Sequence, residues 1–434
     1  MLVGLLIFSL LLLALLLWIH KNDFMSPDVL LCLVYSIAII FALYNREIWQ
    51  LDDYSFKSTL ILGIPMMCFA IVGVVEEVHW RNAGKRKKAN SFKLQEISIT
   101  PFVNLINCLL CLSALLLTIR SNGDSLVNLV KAFGVSNITN ATVSYEGTTS
   151  ILSILNKYTD IAVYFFAFVF MNNWVHRGFK TRDLPIIISI ISVVLKGMLS
   201  GTRITLLHVV ACLGFALYFL SNRNTGWIKR YNVKFIVYII VGLSVLLTFF
   251  YQIRDYRGTT TNMDFMYYIS MYTSAPIKLL DMFVKDPISS DIWGKETFRN
   301  LNYNLSLFGN DNLHYARHLE FRYIGGINLG NVYGAPRRYF SDFGFLGLIV
   351  LSAILAFVIC RMYYKNKYYS TNGTTFSLVT LSYFYFSIPM FIIDDVFFSE
   401  ISIGFVLNLL LLYLLYYFLI KRKKVIKLGA ISLT

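Results

Sequence analysis

The chain has 434 residues, of which 57% are hydrophobic and 15% charged, with a formal net charge of +15. A composition so apolar excludes a water-soluble globular domain, which needs polar surface to cover its core. It also removes the usual meaning of a basic chain: nucleic-acid binding needs a basic patch on a folded soluble surface, whereas these basic residues punctuate apolar runs.

Crossing a bilayer takes roughly 20 apolar residues in a helix, and such runs recur from end to end. In chain order the predicted spans are 1–19, 28–45, 58–75, 101–119, 158–175, 184–199, 204–221, 235–252, 340–360, 376–393 and 401–420. The expected fold is therefore an all-α polytopic integral membrane protein of about eleven transmembrane helices, forming a single transmembrane domain over 1–434. No basic residue precedes the first run and no small-residue cleavage site follows it, so it reads as a retained helix rather than a signal peptide. All six cysteines fall inside predicted spans, where they serve as small apolar residues. That placement argues against a disulfide framework or a cysteine metal site, and Cys108 and Cys111 are read as packing.

Charge sets the orientation. The segments after spans 1, 3, 5, 7, 9 and 11 carry most of the Lys and Arg, including Lys85 to Lys88 and Lys421 to Lys424, but only a quarter of the acids. By the positive-inside rule these segments are cytoplasmic, which places the N-terminus outside and the C-terminus inside. Two external segments are long: a first loop, 120–157, and a main loop, 253–339. The main loop is rich in Tyr, Phe, Trp and Met rather than in the residues of disordered chains, so it is expected to be partly helical. Within it Met263 to Val284 is apolar but interrupted by Pro276, which suggests short helices lying in or near the membrane interface. The first loop is more polar, and its Asn137-Ile-Thr and Asn140-Ala-Thr glycosylation sequons are read as chance. There is no internal repeat and no matched pair of broken helices, the pattern of many secondary transporters.

Outward basic residues beside the spans are the strongest chemical signal. They are Lys196, Arg203 in the turn Ser200-Gly201-Thr202-Arg203, Arg254, Arg257, Arg337 and Arg338. Orientation does not explain them, and guanidinium forks suit the oxygens of a diphosphate. The plainer alternative is snorkelling or pairing with nearby acids, such as Arg254 with Asp255. Lys196 and Arg203 are seven apart and share a face if their helix is continuous. His314 and His318 lie near Glu320, but with no clear third ligand no metal is assigned; an acid/base role for one of them stays open. Thr202, Thr205, His208 and Cys212 form a polar stripe that favours interhelical hydrogen bonding over catalysis. Asp394, Asp395 and Glu400 flank a short outside turn, for which solvation is the ordinary explanation. The cytoplasmic loops are short and basic, which argues against a nucleotide-sugar donor.

This architecture, the Ser200 to Arg203 turn opening a helix, and the segment Asn331 to Gly347 with Gly334, Pro336, Asp342 and Gly344, together resemble the O-antigen polymerase (Wzy) family. The resemblance implies a cofactor-free, membrane-embedded glycosyltransferase in a bacterial cytoplasmic (inner) membrane, its active site facing the periplasm or cell exterior. Such an enzyme transfers a growing glycan from undecaprenyl diphosphate to the non-reducing end of a new lipid-linked repeat unit of O-antigen, capsule or exopolysaccharide. By position, the family's arginines correspond to Arg203, Arg254, Arg257, Arg337 and Arg338, with Lys196 beside them as a further substrate-binding residue. The catalytic candidates are Arg203, Arg254, Asp255, Glu320 and His314, and the base is left open among Asp255, Glu320 and a histidine. Expected partners are the lipid-linked oligosaccharide, the bilayer, a chain-length regulator and other polysaccharide assembly proteins, with no nucleic acid. Two alternatives stay open: an O-antigen ligase-like glycosyltransferase, to whose loop histidine His314 or His318 would correspond, and a transporter or flippase of lipid-linked glycans.

Overall fold

A computed structural model describes residues 1–86, 94–121, 150–199, 203–227, 242, 248, 264–288, 291–313, 315, 318–369 and 373–422. In chain order the helices are α1 (Leu2–Ile19), α2 (Pro27–Tyr44), α3 (Phe56–Arg86), α4 (Pro101–Ser121), α5 (Ser150–Arg177), α6 (Leu184–Leu199), α7 (Ile204–Asn224), α8 (Phe265–Lys285), α9 (Arg299–Ser306), α10 (Ala335–Tyr368), α11 (Phe376–Phe384), α12 (Ser387–Met390) and α13 (Ile403–Tyr416). Between α9 and α10 a two-stranded antiparallel hairpin pairs β1 (Arg322–Ile324) with β2 (Ile327–Gly330). Its turn is Gly325-Gly326, both at positive φ, the conformation tight hairpins require.

Among the described residues, eight helices are long and apolar enough to cross a membrane: α1 to α5, α7, α10, and α13 with its continuation to Lys421. The chain is a multi-pass protein, and its described residues are mostly helical with little sheet. The predicted span 184–199 is the 16-residue α6. The predicted span 376–393 is not one helix, because α11 stops at Phe384 and α12 runs only from Ser387 to Met390. The predicted span 235–252 lies outside the described residues except for 242 and 248.

The chain divides into two compact units. The first comprises 1–89, 263–370 and 387–406. In it α3 packs along α10, α1 along α2, and α8 on α2. The expectation of short interfacial helices over 263–284 is corrected: α8 runs unbroken through Pro276, with Ser274 to Asp281 buried. Proline inside a helix forfeits one backbone hydrogen bond, so tertiary anchors must hold the element. The Lys278 ammonium donates to the Gln50 carbonyl (2.9 Å), and Asp281 accepts from the Ser55 N–H (2.9 Å) and the Ser58 hydroxyl (2.8 Å). Where α1 ends and α10 ends, His20 lies between the carboxylates of Asp28 and Glu77, at 2.5 Å from each. Tyr368 also bonds Glu77, and Asp23 accepts from Tyr363 (2.8 Å) and Lys367 (2.5 Å). Buried charges are tolerated when paired in this way, and the network ties α1, α2, α3 and α10 together.

The second unit comprises 90–262, 371–386 and 407–434. Here α4 packs on α6 and α5 on α7, with the Asn107 amide donating to Ser189 (2.9 Å) across the first pair. The extended stretch before α4 is fastened by Asn172 and Asn173, whose amides donate to the carbonyls of Gln95 and Ile97. Arg177 grips Asp183 through two nitrogens, at 2.9 and 2.7 Å, which fixes the turn from α5 to α6.

Candidate functional site

In the first unit the start of α10 collects a dense group of paired charges. Gly334 caps the helix at φ +84, and its N–H and that of Ala335 donate to the carbonyls of Ile393 and Phe391, both at 2.9 Å. A Cβ at Gly334 would lie 2.9 Å from the Ile392 carbonyl oxygen, so this approach needs glycine twice over, for space and for φ. Two N–H groups at the helix start, which no intrahelical carbonyl can reach, are thus satisfied by residues 391–393, and Pro336 has none to satisfy. That contact brings Asp394 and Asp395 beside Arg338.

Arg337 is 1% exposed and lies between two rings, its guanidinium carbon 3.8 Å from the Tyr333 centroid and 4.2 Å from that of Phe283. Its Nη2 donates to Glu320 (2.8 Å) and Glu296 (3.1 Å). Its Nε and Nη1 are buried and find no hydrogen-bond partner among the described residues, and the same holds for Oε2 of Glu296. Arg338 donates through Nε to Asp394 (2.6 Å) and through Nη1 to the Glu296 carbonyl (3.1 Å). Arg299 stands 3.7 Å from Asp394, and Arg322 3.3 Å from Glu320. Asp342, one turn along α10, accepts the backbone N–H groups of Glu296 (3.1 Å) and Thr297 (2.6 Å), which positions the Glu296 side chain against Arg337.

The electrostatics separate the acids. Burial pushes the Glu296 carboxyl up despite Arg337 and Arg338 nearby. Glu320 is also raised by burial, but the Arg337 hydrogen bond and charge outweigh this and its carboxyl ends below the usual range. Asp395 is pushed up to about 6 by burial. Both Asp395 oxygens are occupied, by the N–H groups of Phe397 (2.9 Å), Phe398 (3.2 Å) and Ser399 (2.8 Å) and by the Tyr339 hydroxyl (3.2 Å). The reading of Asp394-Asp395 as a solvated turn is therefore corrected: Asp395 is buried and Asp394 is an arginine partner. A carboxyl with raised proton affinity and a free oxygen suits proton transfer, and Glu296 meets that description better than Glu320.

The structure thus brings Arg337, Arg338 and Glu320 together. Lys196 and Arg203 belong to the second unit. There Lys196 is buried, its ammonium donating to Asp160 (2.7 Å), Thr159 (2.8 Å) and Asn156 (3.1 Å). Arg203 caps α7 while α6 ends at Leu199, so the two are not carried on one continuous helix. Arg254, Asp255, Arg257 and His314 lie outside the described residues, as do Ser200 to Thr202. His318 is exposed. Among the described residues no group of three or more His, Cys, Asp or Glu side chains is arranged to hold a metal. His208 is structural: its Nε2–H donates to the Tyr383 carbonyl (2.7 Å) and its ring stacks on Phe386 at 4.5 Å. Glu296 and Arg299 escaped the sequence reading, because nothing local marks an acid whose partner lies 41 residues on. No protein-family model, curated protein or solved structure matches the chain.

Proposed function

We propose that the chain is a membrane-embedded glycosyltransferase that polymerises lipid-linked oligosaccharide repeat units at the outer face of a bacterial cytoplasmic membrane. In this reading the eight candidate spans, α6, the α11–α12 pair and residues 235–252 make up eleven crossings, with the N-terminus outside and the C-terminus inside. The observation that supports the reading is the buried Arg337, clamped between Tyr333 and Phe283 with Nε and Nη1 uncommitted, beside a Glu296 oxygen that is also uncommitted.

The chemistry follows from that pair. The bond from the sugar carbon to the undecaprenyl diphosphate oxygen breaks, its electrons stay on the leaving diphosphate, and the acceptor hydroxyl oxygen takes its place on the carbon. The hydroxyl proton passes to a carboxylate, Glu296 or Glu320, with His314 as the other candidate base. Arg337 and Arg338 stabilise the charge developing on the leaving group, and a prepositioned donor in a low-dielectric site is worth most in the transition state.

Glu296→Gln and Arg337→Lys test the proposal, since each keeps size and polarity. Membrane abundance is measured beside glycan chain length on the lipid carrier. The expected result is normal abundance with accumulation of single repeat units on the outer face. Long chains at wild-type length in both variants would overturn the catalytic assignment, and units trapped on the cytoplasmic face would replace it with a flippase.

A further inference from the structure

A groove of about 530 Å³ opens in the first unit between α1 and α3, with Ile349 of α10 as its third wall. Its lining, which includes Leu5, Phe8, Leu60, Ile64 and Met67, is almost entirely apolar. Two glycines make the hollow, Gly4 in α1 and Gly63 in α3. Glycine is the poorest helix former after proline, so its presence on two facing helices calls for a cause.

The common causes do not apply. Neither glycine is among those at positive φ, so no left-handed conformation demands it. Small residues often let membrane helices approach closely, yet a Cβ at Gly63 would make only ordinary contacts, 3.9 Å to Leu5 and 4.0 Å to Phe8, and one at Gly4 would meet nothing within 4 Å. What the glycines preserve is the open space itself.

The position of the groove indicates what fills it. Lys57, in the first turn of α3 between the lining residues Phe56 and Thr59, is exposed and holds its ammonium 5.0 Å from the Phe340 ring centroid. Phe340 follows Arg338 by two residues on α10, and Ile349 lies a further nine along, beyond the non-helical Gly344, so the arginines and the groove wall are carried on successive segments of one element. Cationic groups at one end of α10 and an apolar groove farther along it match one ligand with an anionic head and a long hydrocarbon tail.

We propose that this groove seats the isoprenoid tail of an anionic polyprenyl lipid, with the headgroup at Lys57 and the Arg337–Arg338 end of α10. The assignment deepens the function proposed above and rests on it. Because the glycines have room for side chains, Gly4→Leu with Gly63→Leu fills the groove without a backbone clash. The full chain is reconstituted in phosphatidylcholine nanodiscs with a polyprenyl phosphate carrying a diazirine in its tail, and crosslinked peptides are mapped by mass spectrometry. The expected crosslinks fall on residues 2–8 and 56–71, are displaced by undecaprenyl phosphate, and drop about tenfold in the filled variant, a factor worth 1.4 kcal/mol of binding. The thermal midpoint of that variant is expected to equal or exceed that of the wild type, which separates a filled site from a failed fold.

Crosslinks elsewhere in the chain, equal displacement by phosphatidylglycerol, or undiminished crosslinking in the filled variant would each overturn the proposal. Wild-type chain lengths made by the filled variant would overturn the groove and leave the polymerase reading standing. Crosslinks that behave as expected, in preparations that never polymerise repeat units although Glu296 and Arg337 are intact, would keep the groove as a polyprenyl-lipid site and overturn the polymerase.

Discussion

Arg337 carries two functions that mutation can separate. Its charge compensates Glu296 and Glu320, and its flat guanidinium fills the slot between Tyr333 and Phe283. Arg337→Ala removes both, leaves buried acid without its partner, and is expected to cost about 3–5 kcal/mol, read as a lower thermal midpoint and reduced membrane abundance. Arg337→Lys keeps the charge but loses the fork and the stack, so it retains most stability; equal midpoints for wild type and Ala variant would show the network to be structurally idle. Asp395 gives a pH signature. Its folded-state carboxyl is raised to about 6 by burial, above an ordinary value of about 3.9, so the folded chain holds the proton more tightly than the unfolded one. The resulting stabilisation is full below about pH 3.9 and is lost as pH rises through 6, by about 3 kcal/mol in total. Asp395→Asn removes that dependence, and thermal midpoints of the two proteins between pH 5 and 7.5 are expected to diverge on the acidic side in favour of the wild type. At this scale the sequence displayed Arg337 and Arg338 as basic residues that orientation does not explain. It did not pair them with Glu296 and Asp394, which stand 41 and 56 residues away, and only the capping of α10 by 391–393 brings Asp394 within reach.

The element that shapes the site is α10, which consists of two helical segments meeting at Gly344, where φ is +62 and ψ −158. This region of backbone space is essentially closed to residues with a Cβ. Three residues later, a Cβ at Gly347 would overlap the Phe343 side chain, so the break leaves no room for a side chain there either. The segment ahead of the break carries Arg337, Arg338 and Asp342, and the segment after it carries the apolar residues of a span. Gly344→Ala is therefore expected to destabilise by about 1–3 kcal/mol and to shorten glycan chains, since it re-aims the arginines. A variant with wild-type midpoint and chain length would show that the break is not needed. The residues Asn331 to Gly347 made this segment conspicuous in the sequence; in the structure close approach to a neighbouring backbone is what Gly334 serves, whereas Gly344 meets nothing within 4 Å and serves the break. The reading of 263–284 went astray for a different reason: Pro276 argues locally for two short helices, while burial of Ala275 to Asp281 and the Lys278 and Asp281 anchors overrule it.

At the scale of the molecule, apolar runs of span length are the most readable feature of such a chain, because the bilayer forces every backbone group to be satisfied within its own segment. Most predicted spans accordingly recur as helices with ends shifted by a few residues, and the exceptions occur where length fails as a guide. α3 and α10 continue well past the hydrocarbon thickness, to 31 and 34 residues, since their polar ends pack on protein instead of entering water: Glu77 and Tyr368 bond one another there. The α11–α12 break is hidden in a uniformly apolar stretch that hydropathy cannot divide. Orientation rests on a separate physical quantity, the asymmetry of Lys and Arg between alternate loops, and it admits a direct check. Eleven crossings with the N-terminus outside predict that a phosphatase fused after Asp52 is active, that one fused after Lys88 is inactive, and that a green fluorescent protein at the C-terminus is fluorescent. An active fusion after Lys88 would invert the α3–α4 connection and put the start of α10 on the cytosolic side if the later crossings keep their number. The arginine–carboxylate site would then face the compartment of nucleotide-activated donors, and an acceptor or donor on the outer leaflet would be out of its reach. The sidedness of one loop therefore decides whether the chemistry proposed for Arg337 and Glu296 is open to this protein.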